Sequence, residues 1–190
     1  MTWTRSIPTS EATGPLAATY AQILAGSSQG RVSNVWLALG LDPDGLAATH
    51  PLYRAMIGEP LPLSDLQARL IAVVVSATNG CEYCVAHQGP HLAAALGDEP
   101  LARAVALDYR TANLTARDRV LLDHCVALTC EPSERKLEDI ERIREYGFDD
   151  ASIVKAVEIT AYYNLINRVV TGLGVELEAD LAPWEFGSQK

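Results

Sequence analysis

Residues Ser76 to Leu92, SATNGCEYCVAHQGPHL, place two cysteines, two histidines and a glutamate in one short window. Cys81 and Cys84 enclose Glu82 and Tyr83 as Cys-x-x-Cys. On a helix three residues make nearly one turn, so both sulfurs fall on the same side. The Asn79-Gly80 turn signal just ahead puts the pair in the first turn of its helix, where unpaired N–H groups and the positive dipole end favour thiolate. A thiolate beside a thiol is the equipment of a dithiol peroxidase or reductase: one sulfur is oxidised to a sulfenic acid, and the other condenses with it to a disulfide. His87 and His91 extend the pair to Cys-x2-Cys-x2-His-x3-His, and a shared zinc ion is the second reading. On a straight helix all four side chains project within about a third of the circumference, too narrow for a tetrahedral ion unless Gly89-Pro90 bends the chain. An inert buried pair is the third. A thioredoxin-type site is disfavoured, because no βαβ pattern surrounds the motif.

The elements that must hold these residues read as helix almost throughout. GPLAATYAQILAG carries Leu16, Tyr20, Ile23 and Leu24 at helical spacing and ends at Gly26. The stretch from Arg31 reads as two short helices separated by Gly40 and the Asp-Pro-Asp-Gly turn, the second stopped by Pro60 to Pro62. Ser64 caps a helix over Asp65 to Ala77, whose β-branched IAVVV run reads as buried helix, since no partner strands are in sight. The next helix runs through the cysteines to about Ala95. Thr115 caps a helix with Val120, Leu121, Leu122, Val126 and Leu128 on its apolar face. Ser133 is the expected cap of a helix with Leu137, Ile140 and Ile143 inward and Gly147 as its stop, and the longest periodic segment, from Asp149, closes at Gly172. Helix after short loop after helix gives an all-α bundle.

The 190 residues suit a single all-α domain: an N-terminal helical extension over 1–60, a core containing the cysteine motif over 61–178, and a tail over 179–190. A net charge of −9 and the lack of any Lys/Arg cluster argue against nucleic acid as a partner. No apolar run is long enough for a bilayer, and the N-terminus lacks the pattern of a signal peptide, so the expected setting is the cytoplasm, where thiols stay reduced.

LSDLQARLIAVVVSATNGCEYCVAHQG resembles the Cys-x-x-Cys segment of the AhpD-like/carboxymuconolactone decarboxylase superfamily, in its peroxidase-related branch. GRVSNVWLALGLDP, LTARDRVLLDHCVALT and AYYNLINRVVTGLGV fit the same branch, so the resemblance spans about residues 30 to 178. It implies an AhpD-like helical bundle, a homo-oligomer built from dimers (a dimer or a trimer of dimers), and reduction of hydroperoxides by the cysteine pair without cofactor or metal, an external dithiol restoring the pair. The family's second cysteine attacks the peroxide; it maps to Cys84, with Cys81 resolving and His87 assisting proton movement. Two positions depart from the family's proton relay: Arg69 stands where a glutamate is usual, twelve residues before Cys81, and Gln88 where a histidine is usual, four after Cys84. Arg69 can stabilise a thiolate but cannot act as a base. The alternatives are a carboxymuconolactone-decarboxylase-like lyase acting on a small organic acid, against which the cysteine pair counts, and a non-catalytic or metal-binding helical oligomer.

Outside the motif the expectations are structural. Glu82 and Tyr83 face solvent or a neighbouring subunit, and His91 is structural. Cys125 and Cys130 are small buried hydrophobes, with His124 coincidental beside them. Tyr162, Tyr163, Asn164 and Asn167 form a stripe packed with satisfied hydrogen bonds; in the family that helix packs near the cysteines, so Asn164 or Asn167 is placed to line a pocket. Arg168 is expected to pair with a carboxylate. The charges of ERKLEDIERIRE form a solvated face.

Overall fold

The computed structural model describes residues 2–58 and 62–189. Its elements are α1 (Gly14–Ala25), α2 (Asn34–Ala38), α3 (Pro43–Ile57), α4 (Asp65–Thr78), α5 (Glu82–Leu96), α6 (Glu99–Asp108), α7 (Ala116–Cys130), α8 (Leu137–Glu145) and α9 (Asp150–Leu173), with a 3₁₀ turn at Pro132–Glu134. There is no strand among the described residues, and no described helix is long and apolar enough to cross a membrane.

The bundle is organised around α4. Ser64 accepts from the Gln67 N–H while the Gln67 side chain accepts from the Ser64 N–H, a capping box that sets where the helix starts. Ile71, Ala72, Val73, Val74 and Val75 are all 0% exposed. A helix apolar on every side belongs in the centre of a bundle, and α5, α6, α7 and α9 pack around it. The β-branched run costs some helix propensity, a few tenths of a kcal/mol per residue. Full burial contributes roughly 1.5–3 kcal/mol for each such side chain, so tertiary packing decides the conformation.

Several expected boundaries hold. Gly26 closes α1, Thr115 accepts from the Asp118 N–H at the start of α7, and Gly147, at φ 82°, follows the end of α8. Others move. Ser133 lies inside the 3₁₀ turn begun by Pro132; α8 starts at Leu137, where the Asp139 carboxylate accepts the Lys136 N–H at 2.9 Å. Leu137 is 62% exposed instead of inward, while Ile143 is buried. Leu24 likewise faces solvent, and Leu128 is only half-buried. The last helix runs past Gly172 to Leu173 and ends on Gly174, whose left-handed φ of 59° makes it the true terminator. Helix α6, capped by Asp98, has no counterpart in the sequence reading. The expected Pro60 stop lies outside the described residues, and α3 ends at Ile57.

Beyond Gly174 the chain straps back across the bundle. The Trp184 indole lies over Gly89, so close that a Cβ there would stand 2.4 Å from the ring. Gln189 is fully buried, donating to the Ala106 carbonyl at 2.9 Å and accepting from the Tyr109 N–H at 3.2 Å.

Candidate active site

Gly80, at φ 69°, turns the chain from α4 into α5, as the Asn-Gly signal predicts, and the Cys81 N–H donates to the Ser76 carbonyl at 2.9 Å. Cys81 becomes the N-cap of α5 and Cys84 lies in its first turn. Both thiols are free and buried, and their sulfurs are 2.8 Å apart. A disulfide of about 2.05 Å is within a small movement.

The two sulfurs are electrostatically unlike. The hydrogen bond from Cys84 holds the Cys81 thiol below its ordinary value against the opposing effect of burial, helped by the Cys84 backbone N–H and by Asn167 and Thr171. Burial pushes Cys84 well up, and a charge on Cys81 adds to this. Of the two, Cys81 therefore gives up its proton more readily, with Cys84 as the donor to it. Cys84, however, is the sulfur that lines a cavity of about 230 Å³.

One turn along α5, His87 lines the same cavity. Its Nε2 is 2.7 Å from Glu178 Oε2. The other carboxylate oxygen, Oε1, accepts from the Asn34 N–H at 2.7 Å and the Tyr83 hydroxyl at 2.9 Å. Burial would raise the Glu178 carboxyl, but the hydrogen bonds from His87 and Asn34 outweigh it and hold the group at about 2. Tyr83 also accepts from the Val35 N–H at 3.2 Å. Burial and the nearby Glu178 push its phenol up, so it serves as a neutral donor. An ionised carboxylate requires a proton on Nε2, which leaves Nδ1 of neutral His87 as the free ring nitrogen.

Tyr83 thus belongs to the site rather than to the solvent face, where Glu82 does sit. Arg69 and Gln88 meet each other across the cavity wall, Arg69 Nη1 reaching Gln88 Oε1 at 3.4 Å while its Nε pairs with Asp65 at 3.1 Å. His91 also lines the cavity. Asn164 and Asn167 do not line it. They hold the turn, both accepting from the Asn79 amide, and Asn167 donates to Ser76 Oγ at 3.1 Å. The α9 residues in the wall are Tyr162, Tyr163, Ile166 and Val170. Arg168 donates to the Asn164 backbone and side-chain oxygens instead of a carboxylate. Cys125 is fully buried, its thiol pushed up to about 12 by burial, whereas Cys130 is exposed at the last turn of α7, against expectation. Helix α5 continues unbroken through Gly89-Pro90, so the bend a zinc site would need is not made. Among the described residues no three His, Cys, Asp or Glu side chains are grouped to hold a metal.

Residues 43–106 match the model of the carboxymuconolactone decarboxylase family. A peroxidase-related protein from a Silicibacter species is 30% identical over 88% of this chain and 89% of that one, with a TM-score of 0.79. This chain belongs to the AhpD/carboxymuconolactone decarboxylase superfamily. A second superfamily structure, a peroxidase-related protein with an alkylhydroperoxidase AhpD core from Ralstonia eutropha, is 26% identical over 94% of this chain and 93% of that one, with a TM-score of 0.85. The debrominase Bmp8, solved with 2,3,4-tribromopyrrole, shares the fold at 19% identity, with 92% and 90% of the two chains covered and a TM-score of 0.72. No curated protein matches. Within the superfamily the all-helical architecture is thus established, and the two relatives at 30% and 26% identity are peroxidase-related proteins.

Glu178 is the residue that sequence reasoning missed. His87 and Glu178 are 91 positions apart, and no local periodicity links them. The single available signal was a histidine beside a thiol pair in a chain with 24 acidic residues, which gives no means of choosing among them.

Proposed function

We propose that this protein is a thiol-dependent peroxidase that reduces hydroperoxides through a Cys81/Cys84 dithiol–disulfide cycle. One observation carries the reading: two free sulfurs 2.8 Å apart, with Cys84 facing a cavity that it shares with a histidine held by a buried carboxylate. His87 Nδ1 takes the proton from Cys84 Sγ, and the imidazolium forms beside the Glu178 anion. The Cys84 thiolate attacks the distal peroxide oxygen, the O–O bond breaks, and the leaving alkoxide takes the proton from His87. Cys84 is now a sulfenic acid. The Cys81 thiolate attacks its sulfur, closes the disulfide and expels hydroxide, which leaves as water with the proton that Cys81 gave up to solvent on forming its thiolate. The substrate is reduced by two electrons and the two thiols are oxidised to one disulfide. An external dithiol then returns those electrons.

In this reading Glu178 is a positioning residue that stands in for the relay carboxylate displaced by Arg69. The thiol assignments follow from access and charge together: Cys84 meets substrate in the cavity, while Cys81, which gives up its proton more readily, resolves the sulfenic acid. A lyase acting on a small acid has no use for such a pair.

The test is titration of free thiols before and after one equivalent of hydroperoxide. The wild type is expected to lose two thiols, Cys84→Ser to lose none of the remaining set rapidly, and Cys81→Ser to stop at a trappable sulfenic acid. An unchanged thiol count in the wild type would defeat the proposal.

A further inference from the structure

The wall of the cavity over Cys84 differs in charge from the rest of the molecule. The chain has 24 Asp and Glu against 15 Lys and Arg, yet among the described residues no carboxylate lines the cavity. Arg31, Arg54 and Arg69 do, beside three of the four histidines, of which His50 and His91 are pushed toward the neutral form by burial. Asp180 and Asp65 pair with Arg31 and Arg69 from outside at 2.5 and 3.1 Å, 65% and 37% exposed, and the Glu178 anion lies behind His87 and Tyr83, so these three carboxylates offset part of the positive field of the arginines. Such a lining in an acidic protein concentrates anions.

Part of the lining is aromatic. Trp36 meets His50 edge-on at 5.1 Å and Tyr53 at 5.7 Å, and Tyr53 stands 6.0 Å from Tyr162, all four lining the cavity. Such surfaces favour a planar ligand. Tyr163, 2% exposed, lines the same space, and its hydroxyl has no hydrogen-bond partner. An orphaned buried donor carries a desolvation penalty that a ligand oxygen removes. The volume, about 230 Å³, is below the roughly 300–1,000 Å³ of sites for drug-sized ligands, which fits a single ring rather than a long chain.

We propose that the cavity binds a compact aromatic carboxylate, with its ring against Trp36, Tyr53 and Tyr162, its carboxylate drawn by Arg54 and Arg69, and one of its oxygens accepting from the Tyr163 hydroxyl. The peroxide presented to Cys84 is then the hydroperoxide of such an acid. This second statement rests on the peroxidase reading; the binding statement does not.

Binding is measured on Cys84→Ser protein with two inert probes, benzoate and benzyl alcohol, by calorimetry and by tryptophan fluorescence. Benzoate is expected to bind at least about tenfold more tightly, the ratio given by one charge-assisted contact. Arg54→Gln and Tyr163→Phe should each shrink that ratio, and added salt should lower it for the arginine contact. Equal affinity for the two probes overturns the proposal, as does a benzoate preference that survives both substitutions. In the wild type, cumene hydroperoxide bearing a ring carboxylate should show a lower KM than cumene hydroperoxide itself; equal KM values overturn the substrate assignment. Retained benzoate preference with no thiol loss to either peroxide would defeat the redox reading and uphold the binding inference.

Discussion

Replacing Glu178 with glutamine separates the charge beside His87 from the geometry that holds it. The amide oxygen can still accept from the Asn34 N–H and the Tyr83 hydroxyl, which now reach the carboxylate at 2.7 and 2.9 Å. The amide nitrogen must face His87 Nε2, where Oε2 now lies at 2.7 Å. The ring is then driven to carry its proton on Nδ1, the atom that receives one from Cys84 in the proposed mechanism. A charge-assisted hydrogen bond of this kind contributes about 1.5–3 kcal/mol. If all of it is expressed when His87 is protonated, thiol oxidation should slow by about ten- to a hundredfold. Stopped-flow consumption of thiols by peroxide near neutral pH reads this directly. Two controls isolate the cause: the thermal midpoint, and the pH titration of thiolate ultraviolet absorbance, which is led by Cys81 and should keep its position. A rate within twofold of wild type, with the fold intact, would refute the role given to Glu178.

Further outcomes follow from the packing and the electrostatics. The Glu178 carboxyl titrates at about 2 in the fold against 4.5 normally, and its side chain is only 7% exposed. A depressed carboxyl stabilises above its unfolded value and loses that contribution as pH falls through its folded one. The stability difference between wild type and Glu178→Gln, up to ~3 kcal/mol, should therefore vanish between about pH 4.5 and 2 in denaturant titrations; a difference independent of pH in that range would count against the ion pair. Gly89→Ala should cost about 1–3 kcal/mol in chemical denaturation, because the new methyl meets the Trp184 ring at 2.4 Å; an unchanged midpoint would mean that the strap gives way freely. Leu122→Ala, at a fully buried position, should cost about 2–5 kcal/mol. Sedimentation equilibrium is expected to show a homo-oligomer built from dimers, and a monomer at micromolar concentration would remove that expectation.

How much of this was legible in the sequence depended on distance along the chain. The Cys-x-x-Cys spacing, the Asn79-Gly80 turn, His87 one turn on, and the Ser64 and Thr115 caps are all relations between residues a few positions apart, and they came out as read. The burial of IAVVV was also readable, since no strand partner competed for it. Local patterns failed where two signals were adjacent. Pro132 drew Ser133 into a 3₁₀ turn and left the start of α8 to Asp139; Gly174 rather than Gly172 took the left-handed turn. Cys130 looked like a core residue by type, but its position at the end of α7 exposes it. The cavity was out of reach altogether. Its aromatic residues come from α2, α3 and α9, and the carboxylate behind its His87 from beyond α9, so only the packed bundle brings them to Cys84.

The strap that carries Glu178, Trp184 and Gln189 has a consequence for how the molecule comes into being. Translation delivers the α4–α5 hairpin with its thiols long before it delivers Glu178, 91 positions after His87. A nascent chain therefore carries Cys81, Cys84 and His87 before the carboxylate that holds His87 has been made. Under the proposed peroxidase reading, full competence toward peroxide waits until this strap docks. Trimming back to Gly174 should slow thiol oxidation by at least as much as Glu178→Gln does.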